Sequence, residues 1–333
     1  MKKPIHSFNN FLRIGILLGF SQILIPFAMA QEIPSENHEE ISREIDQIAS
    51  QPKILPLYHS HMVNHDGGHL QGIQIMRTED GVFAFLSGSS STYAYYAIAE
   101  EQNGIFAVQT IHEIDKSPFK HAGGFQIHGG YLAIGIEDNE LRTRSYVAIF
   151  DISNPKTPLS VPLVKIKRSG LYERATAGCV GITEFRNQTL LVVGDWNTRH
   201  LDFYLGDLDT LEEEAFTLVS SLDLSAIDRS NWIDSTWLAY QNINLINNND
   251  GLYLVGLTSN GEGHNVVDLY DLISVDIHSF HLKKITSNKL SNNGGDFLWG
   301  AGIEVHNGKI QAIVSCERNL RSKSNIYIYH GED

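Results

Sequence analysis

From residue 53 onward the chain alternates short β-branched or aromatic runs with clusters of Gly, Asn, Asp and Ser, the pattern of short strands joined by turns. Helical spacing is confined to the acidic stretch at 39–45. A four-residue core then recurs five times: Gly72-Ile73-Gln74-Ile75, Gly124-Phe125-Gln126-Ile127, Cys179-Val180-Gly181-Ile182, Asn242-Ile243-Asn244-Leu245 and Gly302-Ile303-Glu304-Val305. The third positions are 52, 55, 63 and 60 residues apart. Each core leads through a turn to an apolar strand ending in a small residue (Gly88, Gly135, Gly194, Gly256, Ser315), and then to a third strand at 93–99, 146–152, 201–207, 266–272 or 326–329. Repeats of this length, each too small to bury its own faces, predict an all-β propeller rather than a β-sandwich or two separate β-domains.

Fourth strands follow at about 104–114, 159–167, 216–224 and 280–286, but the fifth unit runs out of chain. Residues 54–59 supply a strand at the other terminus. A strand lent from the N-terminus to the last unit closes a ring and removes its edges. The expected fold is therefore a five-bladed β-propeller over 53–333, with four antiparallel strands per blade. Residues 31–52 precede it as an acidic linker or short helix. The wide gap between the third and fourth cores leaves room for an irregular excursion.

The first thirty residues change the picture of where the protein works. Lys2, Lys3 and Arg13 precede a nearly unbroken apolar run from 14 to 27, which closes on Ala28-Met29-Ala30. That is the layout of a cleaved signal peptide. Gln31 stands where a lipoprotein needs Cys, and no later run is long enough to span a bilayer. A periplasmic or secreted protein is expected, with no membrane association after cleavage, and as a monomer.

Cleavage at that point removes three basic residues and no acid, taking the formal charge from −14 to −17. Such a surface repels phosphate backbones, which argues against nucleic acid. Cys179 and Cys316 enter an oxidising compartment, yet the repeat register puts them on non-adjacent blades, which argues against a disulfide. Cys179 replaces the Gly of other cores and reads as a small filler.

Residues 146–158, Tyr-Val-Ala-Ile-Phe-Asp-Ile-Ser-Asn-Pro-Lys-Thr-Pro, resemble the repeat of LVIVD-type bacterial propellers, in which a strand ends in Asp-(Val/Ile)-Ser-(Asn/Asp)-Pro-x-x-Pro. Tyr270-Asp271-Leu272 is a weaker echo. The resemblance covers about a tenth of the chain. It implies a secreted or surface propeller and carries over no catalytic residue.

Strand alternation directs Gln74, Gln126, Gly181, Asn244 and Glu304 toward the central channel. The amides suit either a ligand or bonds between blades. Glu304 is the channel's lone carboxylate and a candidate acid or base. The loops before first strands and after second strands meet on one face. They bring His69, His121, Glu173, Glu137, Asp138, Arg142, Asp195, Trp196, Trp237, Trp299, Glu317 and Arg318 together. Aromatic faces beside planar polar groups suit sugar rings.

Two functions follow. The first is a binding module that presents Trp196, Trp237, Trp299 and Arg318, above Gln74, Gln126, Asn244 and Glu304, to a glycan or protein. The second is a glycoside hydrolase using two carboxylates from Glu304, Asp195 and Glu137. His59, His61, His65, His69 and Asp66 match no tight metal spacing, so neither metal nor cofactor is expected.

Overall fold

The computed structural model describes residues 38–60, 68–208 and 215–331. The leader expected at 1–30, together with His61, His65 and Asp66, lies outside the described residues. Among the described residues there are one α-helix, α1 (His38–Asp46), and twenty strands, so the fold is all-β.

The strands form antiparallel meanders in chain order. The first comprises β2 (Leu70–Thr78), β3 (Gly81–Ser89), β4 (Tyr93–Gln102) and β5 (Ile105–Lys116). The next is β6 (His121–His128), β7 (Tyr131–Glu137), β8 (Arg144–Asp151) and β9 (Val164–Ser169). It is followed by β10 (Cys179–Phe185), β11 (Gln188–Gly194), β12 (His200–Gly206) and β13 (Phe216–Asp223). Then come β14 (Asn242–Asn248), β15 (Gly251–Ser259), β16 (His264–Asp276) and β17 (Ser279–Ser291). The last meander has only three consecutive strands, β18 (Ala301–His306), β19 (Lys309–Cys316) and β20 (Lys323–His330). Its outer partner is β1 (Lys53–Tyr58), paired antiparallel with β20 from Lys53↔Ile328 to Tyr58↔Lys323. β1 also touches β5 in parallel at Leu57↔Phe106.

Side-chain alternation explains why these strands read as continuous apolar runs. Tyr95, Ala97 and Ala99 of β4 pack with Val314, Cys316 and Ile326. The intervening Ala94, Tyr96 and Ile98 pack with Phe125, Ile134 and Phe150 on the other side. Both faces of one sheet are buried by its neighbours, so neither set of alternate positions is polar. The inner strands approach closely where glycine allows it. A Cβ on Gly124 would lie 2.3 Å from the Gln241 carbonyl oxygen, and one on Gly302 would lie 2.1 Å from that of Ile73.

The segment ahead of β1 is helical and docked. Ile41, Ile45 and Ile48 are buried with Tyr253, Leu290 and Tyr327. Glu44 accepts a hydrogen bond from the Ile310 amide at 2.9 Å, and the Asn288 side chain donates to the Ile45 carbonyl at 2.7 Å. Of the two sequence options, linker or helix, the acidic face and the isoleucine spacing give a helix, whose apolar stripe covers the ends of β16, β17 and β19.

One strand starts later than the sequence reading has it, and one connection takes up the room the sequence left for an irregular excursion. The last strand of the second meander begins at Val164 rather than near 159, since Pro158 and Pro162 cannot donate to a ladder. The connection between β13 and β14 is an irregular excursion that carries Trp232 and Trp237. Among the described residues no helix is long and apolar enough to cross a membrane.

Candidate active site

The amides expected in the channel bond the inner strands to one another. Gln126 Oε1 accepts from the Ile182 and Leu245 amides at 2.9 and 2.7 Å, while its Nε2 donates to the Leu245 carbonyl at 2.8 Å. Gln74 Nε2 donates to Asn244 Oδ1 at 3.1 Å, and the same oxygen accepts from the Ile303 amide at 3.0 Å. Asn244 Nδ2 donates to the Ile243 carbonyl. All three side chains are buried. Of the two roles open to them in the sequence, their bonds match the tie between sheets.

Glu304 sits toward the hairpin end of β18, away from the tryptophans that precede that strand. Its carboxylate is paired with Arg77 of β2, through both Nε and Nη2. The pair joins the last meander to the first. A cavity of about 420 Å³ opens at this end, lined by Gln74, Arg77, Gln126, Asn247 and Asn307 among others. It lies across the amide layer from the loop face.

The loop face gathers a continuous file of planar groups. Arg318 lies over the Trp299 ring, with its guanidinium carbon 4.4 Å from the centroid. The Trp299 and His69 rings meet edge to face at 5.2 Å, and His69 meets His121 at 5.5 Å. His121 is followed by Trp196 at 6.4 Å, and Arg142 covers Trp196 at 3.9 Å. Trp196 and Trp299 are each half-buried. One edge of each ring is thereby anchored while part of each remains open to a ligand.

Beneath this file lies Glu137, at the end of β7 and fully buried. Its Oε1 accepts from the Ala177 amide at 2.8 Å. Its Oε2 has no hydrogen-bond partner and stands 3.6 Å from His121 Nε2. Burial raises the carboxyl to about 7, against smaller lowering effects of the Ala177 bond, Thr176, Arg142 and Arg168. Burial also pushes His121 down to about 3, helped by His69 and Arg142, so the imidazole is neutral. The neighbouring Glu173 behaves oppositely. Partial desolvation works against it, but hydrogen bonds from Arg142 and Arg199, both at 2.8 Å, hold its carboxyl below the usual range.

The shifts at Glu137 and His121 oppose each other in stability. The Glu137 contribution is full below its unfolded value of 4.5 and is lost as pH rises through about 7. The His121 contribution is full above 6.5 and is lost as pH falls toward about 3. Between pH 4.5 and 6.5 the two slopes offset. Glu137→Gln removes only the first, so its stability relative to wild type should fall as pH drops from 7 to 4.5, by on the order of 1–3 kcal/mol. Melting curves of both proteins across that range measure it. A constant difference would sink the assignment of the proton to Glu137.

The remaining candidates have other partners. Asp195 is buried and accepts from the His200 amide at 3.0 Å and from His200 Nδ1 at 2.7 Å, which fixes the turn carrying Trp196. Asp138 is held by Arg144 and by two loop amides. Glu317 accepts from Asn325. Trp237 was expected as an open anchor. Instead its Nε1 donates to the Thr198 carbonyl at 2.8 Å, and its ring packs among Trp232, Tyr240 and Tyr270. Cys179 and Cys316 are free and buried, and burial pushes both thiols up.

His69, His121 and Glu173 carry more of this site than their place among many loop residues suggested. A signal for the histidines was available: His69, His121, Thr176, Ala239 and Trp299 each stand three residues ahead of a repeat core. Equivalent positions form one ring, so aromatic or imidazole side chains there face one another. Glu173 has no such marker, because its partners come from separate loops.

No protein-family model matches the chain, and no curated protein matches it. Of the LVIVD-type resemblance, only the propeller-like architecture has support. Among solved structures the chain is similar to a family 117 glycoside hydrolase of the marine bacterium Zobellia galactanivorans, at 9% identity over 85% of this chain and 91% of that one, with a TM-score of 0.49. A family-43 β-xylosidase/α-arabinofuranosidase from a compost microbial metagenome is 13% identical over 84% and 94%, with a TM-score of 0.47. An exo-β-1,3-galactanase of Phanerochaete chrysosporium is 9% identical over 84% of this chain, with a TM-score of 0.45, and this chain spans 63% of its length. At that level of likeness neither activity nor substrate transfers.

Proposed function

We propose that this chain is an exported glycoside hydrolase built as a five-bladed β-propeller, with Glu137 as proton source and Glu173 as the ionised carboxylate. The meanders, each with four hairpin-linked strands and the last completed by β1, support the blade count. The observation that carries the activity is the uncommitted Oε2 of buried Glu137, held 3.6 Å from His121 in a file of rings. Every other carboxylate discussed on that face is held by a cation or by amide donors. Two carboxyls whose environments push their proton affinities apart are the acid and base of a hydrolase.

The proton leaves Glu137 for His121 Nε2, and the opposite ring nitrogen gives its own to the glycosidic oxygen as the bond to the anomeric carbon breaks. Water attacks that carbon and yields its proton to Glu173. His121 is left neutral in the other tautomer; its Nε2 then returns the proton to Glu137 as the opposite ring nitrogen takes up the proton that Glu173 releases to solvent, which resets all three groups. Trp196 and Trp299 supply the sugar platforms.

A binding module is the second reading. It is favoured by the full burial of Glu137, which leaves the rings and guanidinium groups as the accessible surface. A glycan array on the mature protein, with reducing-sugar release measured on the same samples, separates the two. Release from bound glycans supports the hydrolase, and tight binding without release supports the module.

Export, to the periplasm or beyond the cell, rests on the leader at 1–30. The mature chain should begin at Gln31, which intact mass of the exported protein checks directly. A full-length product held in the membrane would overturn the reading of a soluble exported protein.

A further inference from the structure

We infer that the glycan taken at this face is anionic, with Arg318 as the residue that reads its carboxylate or sulfate. The inference rests on the carbohydrate reading of the same site and adds the class of sugar. Five other arginines at this end are committed, while Arg321, three residues further on, is exposed and like Arg318 has no carboxylate partner among the described residues. Arg142 and Arg199 hold Glu173, Arg144 holds Asp138, and Arg168 and Arg174 hold Asp202. Among the described residues Arg318 has no carboxylate partner, although the chain carries 39 acidic residues against 25 basic ones. It is exposed, yet its position is defined on two sides. Its guanidinium lies over Trp299, and its carbonyl accepts from the Leu70 amide at 2.7 Å, beside His69.

An indole face below and a bonded backbone behind orient a planar fork toward the file of rings. That fork matches the two oxygens of a carboxylate or sulfate, and stacking on the indole leaves its edge donors free. A surface of strong negative charge repels an acidic polymer at long range, so a cation with no carboxylate partner among the described residues, at the end of the ring file, gives such a ligand its local attraction. A sugar that stacks on Trp299 while carrying an acidic substituent at its edge uses both groups together.

Calorimetric titration of the mature protein with three oligosaccharide sets of equal length tests this: uronic-acid chains, sulfated neutral chains and unsubstituted neutral chains. Wild type should bind one of the anionic sets at least tenfold more tightly than the neutral one, with the preference shrinking as salt rises. Which anionic set prevails distinguishes carboxylate from sulfate. Arg318→Gln should lose that preference, read as the ratio of anionic to neutral affinity within the variant, and Arg318→Lys should restore only part of it. Equal or tighter binding of neutral chains by wild type would overturn the inference and leave the carbohydrate reading standing. An anionic preference that survives Arg318→Gln would overturn the role of Arg318. Absence of binding to all three sets would overturn the carbohydrate reading itself.

Discussion

Glu137→Gln is expected to lower glycan turnover by about 10²–10⁴-fold while leaving ground-state binding within about threefold. The amide keeps the shape of the side chain and can still accept from the Ala177 amide at Oε1. What it lacks is a proton to release toward His121. Because burial sets the carboxyl at about 7, the wild-type acid is present in neutral solution and disappears above that. The alkaline limb of activity should therefore be a fall as pH rises through about 7, and the variant should show no such limb. Single-turnover release of reducing sugar from an unactivated oligosaccharide, run beside equilibrium binding, reads both quantities. Turnover within tenfold of wild type would remove Glu137 from the mechanism, and loss of binding together with turnover would mark it as a packing residue.

Removing residues 31–60 from the mature protein is expected to abolish soluble expression. The deletion takes away β1, and with it the partner of β20 along Lys323–Ile328 and the fully buried Leu57 between the first and last meanders. An open, apolar strand edge is a template for aggregation. Removing only 31–50 leaves β1 in place but strips α1 from its site. Burial of Ile41, Ile45 and Ile48 stabilises by roughly 3–6 kcal/mol in total, so the shorter variant should fold with a clearly lowered melting temperature. The sequence alone reads residues 31–52 as an acidic linker or short helix ahead of the domain, whereas the docking of that helix makes its loss costly. Size-exclusion chromatography and thermal melts of the two truncations decide this. A soluble longer truncation with wild-type melting would show that β1 does not complete the last sheet.

Which residues meet at the site was less legible than the architecture. The histidines at 69 and 121 share a repeat position, so their meeting with Trp299 was written in the spacing. Glu137 lies at the end of an ordinary apolar strand, and nothing local separates it from Asp195 immediately after another such strand. The difference is made by partners from elsewhere: His200 satisfies Asp195, whereas Glu137 has one oxygen bonded and one free. Glu304 misled for the same reason, since its partner Arg77 is 227 residues away in the chain.

By itself, the sequence determined the all-β class, the strand order and the displaced terminal strand, because periodicity and turn chemistry are local and repeat from unit to unit. Only the tertiary structure decided which polar groups are free. A hydrogen bond or ion pair between neighbouring meanders depends on where two distant segments are brought within about 3 Å, and no local pattern encodes that distance. The amides of Gln74, Gln126 and Asn244 are spent on bonds between sheets, Trp237 is spent in an aromatic cluster, and Glu137 keeps one oxygen unspent.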